Sequence, residues 1–114
     1  MIELNDPSKN FEVTHPSGAV FVLKHWTMGM QEEVEKRCVV IGEDAKNVQY
    51  LTALDRQLKI EFSLVGWRGV TVDGREVEFS PERAKQLPMG VLFWLQKTIE
   101  ERAGLRIGDS EKKN

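Results

Sequence analysis

The chain has 114 residues, 40% hydrophobic and 30% charged, with 16 basic against 18 acidic side chains for a net charge of -2. That length supports one core, burying roughly 65% of the surface the unfolded chain exposes. The charge balance speaks against a protein whose main task is to grip nucleic-acid backbone, which calls for a basic face. One cysteine excludes an internal disulfide framework and a zinc site built on several thiolates. No apolar run approaches the ~18 residues of a membrane span, and the first residues lack the basic and apolar regions of a signal peptide.

In chain order, residues 1–10 are polar, contain Pro7, and read as a flexible lead-in. Phe11-Glu12-Val13-Thr14 alternates with period two, and Ala19-Val20-Phe21-Val22-Leu23 is apolar and β-branched. Between them Pro16 and Gly18 predict a four-residue turn, setting Val13 opposite Val20 and Phe11 opposite Val22. Phe21 and Leu23 then lie on the other face, free to meet a helix or a second copy. Thr27 is a predicted N-cap for a helix over 28–41, with Met30, Val34, Cys38 and Ile41 as its stripe. Glu32 and Glu33 precede Lys36 and Arg37 at i,i+4 on the solvated side.

A central helix is predicted over about 45–67, carrying the stripe Leu51, Leu54, Leu58, Phe62 and Val65, with Ala53, Ile60, Leu64 and Trp67 beside it. Its first half looks amphipathic, with Asp55, Arg56, Gln57 and Lys59 facing water, and its end is apolar nearly all round. Asp73-Gly74 between alternating segments is the signature of a two-residue type I′ turn, pairing Val72 with Arg75 and Val70 with Val77. Ser80-Pro81 supplies an N-cap and first helical residue for a short helix to Leu87. A last helix runs from Pro88 to Gly104 on Val91, Leu95 and Ile99. The segment 105–114 is charged at its end and reads as a disordered tail, leaving 11–104 as one domain. The expected fold class is α+β: a small, mostly helical single domain with an N-terminal β-hairpin and a second short hairpin between helices.

No reactive constellation stands out. Cys38 lies on an apolar stripe, where cysteine behaves as a small hydrophobe, and His15, His25 and Cys38 match no ligand spacing. Glu32-Glu33 and Glu100-Glu101 read as solvated helix neighbours, and Gly66, Gly69 and Gly74 form no phosphate loop. No catalytic residue, cofactor or metal is expected, and no nucleic-acid or membrane partner. On the last helix Phe93 points away from Val91 and Leu95, so Phe93 and Trp94 read as candidates for an exposed protein contact.

The stretch Leu64-Val65-Gly66-Trp67-Arg68-Gly69-Val70, followed by Asp73-Gly74, by Val77-Glu78-Phe79-Ser80-Pro81-Glu82 and by Leu87-Pro88, resembles small tail assembly chaperone proteins of long-tailed, siphovirus-type bacteriophages and prophages. The front half is similar too, in its Asp-Pro-Ser start and its Thr27-led, glutamate-rich helix, so the likeness spans about 5–103. The chain has Glu78 where the pattern often has proline. Within the motif, Gly66, Trp67, Gly69, Asp73, Gly74, Ser80 and Pro81 have structural parts to play: leaving a helix, covering the junction, turning and restarting.

The resemblance implies a non-enzymatic protein of the bacterial host cytoplasm. It would bind the tape measure protein and tail tube protein during tail assembly and be absent from the finished particle. Many members also exist as a longer form made by ribosomal frameshifting. Candidate partner-binding residues are Phe93, Trp94, Val40, Phe21 and Leu23, with a homo-oligomer also open. Two other classes stand beside this reading: a structural tail component retained in the virion, and a small host protein-binding adaptor.

Overall fold

A computed structural model of the chain describes residues 1–43 and 46–105. Its first two strands, β1 (Asn10–Thr14) and β2 (Val20–Lys24), pair antiparallel with Val13 opposite Phe21 and Phe11 opposite Leu23. This is one residue off the expected register. The loop takes five residues because Ala19 closes it instead of opening the strand: His15 N–H donates to the Ala19 carbonyl at 2.8 Å, and Gly18 sits at φ 98°. A one-residue slip exchanges the two faces of a strand. Phe21 and Leu23 therefore share the inward face with Phe11 and Val13.

Helix α1 (Met28–Cys38) starts as expected, the Thr27 hydroxyl accepting from Met30 N–H at 3.3 Å. It stops three residues early. Val39 turns extended, and β3 (Val39–Ile41) pairs antiparallel with β4 (Val48–Tyr50). Three consecutive β-branched residues are stiff at χ1 and fit a strand better than a helix end. The central helix is shorter than expected at both ends: α2 covers Thr52–Ser63, and the apolar run after it is β5 (Leu64–Arg68). β5 joins the open edge of β2, giving a three-stranded sheet in the order β1-β2-β5. Gly66 lies opposite Val22, where a Cβ would stand 3.5 Å from the valine Cβ. Glu12 and Arg68 meet by a two-pronged ion pair on the exposed face of that sheet.

The second expected hairpin is present. β6 (Thr71–Val72) pairs with β7 (Arg75–Glu76), Val72 faces Arg75, and Val77 N–H donates to Val70 at 2.9 Å. Asp73 and Gly74 have φ of 51° and 77°, the two positive values that a type I′ turn requires. Ser80 accepts from Arg83 N–H at 3.1 Å and Pro81 opens α3 (Pro81–Ala84). α4 (Met89–Arg102) follows, stopped at Gly104 with φ 74°. Among the described residues helix accounts for 40% and strand for 24%, an α+β single domain.

The core lies between the sheet's inner face and the helices, around Phe21, Leu23, Val34, Leu58, Leu95 and Ile99. A fully buried leucine such as Leu23 or Leu95 contributes roughly 2 kcal/mol by leaving water. Trp67 closes the far corner, its indole N–H donating to the Val77 carbonyl at 2.9 Å while its ring meets Phe21 and Phe79 edge-on. In the lead-in, Asn5 donates to the Trp26 carbonyl at 2.9 Å. Of the expected tail, Leu105 bonds to the Glu100 carbonyl through its N–H, and 106–114 lie outside the described residues.

Candidate functional site

Two residues proposed from sequence as partner contacts are core. Phe21 is 1% exposed and Leu23 0%, because the hairpin register turns them inward. Trp94 is half-buried, tilted against Phe21 and edge-on to His15, so it belongs largely to the same packing. Phe93 is 51% exposed, with Arg56 of α2 lying over its ring 4.8 Å from the centroid. Val40 is also exposed, but on a strand rather than on a helix. Gly66, Trp67, Gly69, Asp73, Gly74, Ser80 and Pro81 build the β5–α3 passage and face no common polar site.

Between α2, α3 and α4 lies an apolar cleft of about 290 Å³. Ile60 and Leu64 form one wall, Leu92 of α4 another, and Phe79, Pro81 and Ala84 close the end. Gln57, Glu61 and Lys85 supply its polar rim. Helix α2 runs along one side, with Leu58 and Ile60 buried against the core and Gln57 and Glu61 exposed at the surface. The Ser80 cap and Pro81 hold α3 across the end. Met89 and Phe93 are half exposed on α4, outside the cleft's lining. A smaller pocket of about 150 Å³ lies between Phe11, Trp26 and Arg102.

Sequence reading missed a buried polar chain between α2 and α4. Lys59 Nζ stands 2.9 Å from Asp55 Oδ2 and 2.8 Å from Glu100 Oε2, and all three side chains are at most 8% exposed. Tyr50 donates its hydroxyl to Asp55 Oδ1 at 2.6 Å, and Gln96 donates to Glu100 Oε2 at 3.3 Å. Burial alone would lower the Lys59 pKa, but its bonds to Glu100 and Asp55 outweigh that and hold it above the ordinary value. Burial first, and donation to Asp55 second, push the Tyr50 hydroxyl far up. Burial, with the Asp55 charge behind it, likewise raises the Cys38 thiol. These groups keep their protons at neutral pH and line neither cleft, an arrangement that ties α2, α4 and β4 together. The signal in sequence was slight: Asp55 and Lys59 are an ordinary i,i+4 pair, and Glu100 lies 41 residues further on.

Among the described residues no group of three or more histidine, cysteine or acidic side chains could hold a metal ion. No helix among them is long and apolar enough to cross a membrane. No known protein family, curated protein or solved structure matches the chain.

Proposed function

We propose that this chain is a tail-assembly-chaperone-like protein without enzymatic activity. It covers apolar helical segments of a phage tape measure protein, and engages tail tube subunits, in the host cytoplasm before the tail is complete. The observation that carries the reading is the apolar cleft between α2 and α3–α4, with Phe93 and Met89 exposed on α4. An amphipathic client helix seats its apolar side chains in such a groove at i, i+3 and i+4. The polar rim of Gln57, Glu61 and Lys85 meets the client's solvated flank. The sequence resemblance around Gly66-Trp67-Arg68-Gly69-Val70 and Phe79-Ser80-Pro81-Glu82 supplies the identity of the client. The buried Asp55–Lys59–Glu100 chain supports a role without catalysis, since it is fully paired and lines neither cleft.

One groove contact is weak, and many copies along a long client add avidity. Phe93→Asp and Met89→Lys change exposed side chains and leave the core intact, so both variants fold. The pair lowers affinity for tape measure segments by about tenfold or more, as removal of one anchoring aromatic commonly does. Undiminished client binding by the folded double variant refutes the cleft as the client site.

A further inference from the structure

The β3–β4 ribbon stands apart from both clefts. Its neighbours in sequence, α1 and α2, run back to the core, while all six strand residues are exposed. Val39, Val40, Ile41, Val48, Tyr50 and the adjoining Leu51 are large apolar side chains in contact with water, Ile41 and Val48 at 63% each. Val39, Ile41, Val48 and Tyr50 share one face of the ribbon, and Val40 stands on the other beside Gln49. A two-stranded ribbon is marginal by itself in water. Among the described residues, no third strand pairs with either edge.

We infer that this ribbon is a dimerisation arm, and that its occupant is the β4 edge of a second copy of the chain. Three observations select a like strand over a helical client. First, neither Val39-Val40-Ile41 nor Val48-Gln49-Tyr50 contains a charge or proline, the usual protection of a solvent-facing edge. In a symmetric antiparallel pair each residue near the dyad faces its own counterpart, so any charge would face itself. These strands carry none.

Second, the bonding pattern leaves β4 the better edge. Gly42 N–H donates to Asn47 O, and Leu51 N–H to Cys38 O, which fixes 42/47 and 38/51 as hydrogen-bonded positions. By alternation Val40 and Gln49 also bond inward, and the N–H and C=O groups of Val48 and Tyr50 point outward. On the other edge the Val39 N–H is already taken by Glu35. With the dyad at Gln49, Val48 faces the partner copy's Tyr50 and the reverse, so the outward groups form about four hydrogen bonds. Third, pairing at the β4 edge joins the two ribbons into one four-stranded sheet, in which Val39, Ile41, Val48 and Tyr50 of both copies share a single apolar face. The dimer rests on few bonds and is therefore reversible, dissociating on dilution. It stands independently of the client reading.

Gln49 gives the test. It is exposed, and in the dimer it closes on its own counterpart at a non-hydrogen-bonded position, Cα atoms about 4.5 Å apart. Sedimentation equilibrium of wild type across the micromolar range shows a monomer–dimer system. Gln49→Lys alone, and Gln49→Glu alone, each weaken it at least about tenfold, with circular dichroism unchanged. Mixing the two variants restores dimer, as a heterodimer. Val48→Pro removes an outward donor, spares the bonds to β3, and abolishes the dimer. A wild type that stays monomeric overturns the inference. So does a dimer indifferent to Gln49→Lys, which places self-association on another face, or a failure of the mixture to recover.

Discussion

Lys59→Met removes the cation from between two buried carboxylates without changing the side chain's length much. Asp55 and Glu100 are at most 8% exposed at the side chain and both bond to the lysine within 2.9 Å. Tyr50 and Gln96 still donate to Asp55 Oδ1 and Glu100 Oε2, but Asp55 Oδ2 loses its lysine and two negative charges are left in a closed site. Breaking a buried pair in this way costs roughly 3–5 kcal/mol. A domain of this size has only about 5–15 kcal/mol in total. The expected loss in melting temperature is roughly 10–20 °C. Urea unfolding followed by tryptophan fluorescence measures the loss in stability. The triple variant Asp55→Asn, Lys59→Met, Glu100→Gln removes every charge and recovers most of the stability, because the burial penalty goes with the charges. A Lys59→Met variant that loses less than about 1 kcal/mol refutes the buried network and means that water reaches it.

Other outcomes follow from the same geometry. The folded-state pKa values of both Lys59 and Tyr50 lie above their ordinary 10.5 and 10.0. Their contribution is therefore complete below about pH 10 and is lost as pH rises beyond it. Alkaline titration of wild type shows that loss, and Tyr50→Phe, at a cost of about 1 kcal/mol near neutrality, flattens it. Gly69→Ala and Gly74→Ala both place a Cβ at φ 77°, but only Gly69 has backbone close by, the Ala19 Cα at 3.3 Å from that Cβ. Gly74→Ala costs about 1 kcal/mol, and Gly69→Ala measurably more, in paired thermal melts.

What could be read from the sequence depended on how local its cause was. Asp73-Gly74 and Ser80-Pro81 fix their own backbone within a few residues, and both hold as expected. The first hairpin was recognisable but its register was not, since one residue of loop decides it, and the error carried Phe21 and Leu23 to the wrong face. The helix ends failed where apolar spacing serves two geometries. Ile41 continues the stripe of α1, and Leu64, Val65 and Trp67 continue that of α2, yet all are strand. The β-branched run Val39-Val40-Ile41 and Gly66 inside a helical pattern were the available signs. Phe93 was legible because a helical wheel places it alone. The buried charge chain was not, since Asp55 and Lys59 look solvated until Glu100 arrives from the last helix.

Co-expression of this chain with a phage tape measure protein, followed by size exclusion with light scattering, tests the chaperone account most directly. The account predicts that the tape measure protein is soluble only in its presence, with several copies co-eluting on one client chain, and that Phe93→Asp with Met89→Lys returns the client to the pellet. A tape measure protein that precipitates regardless, while this chain elutes free of it, contradicts the account.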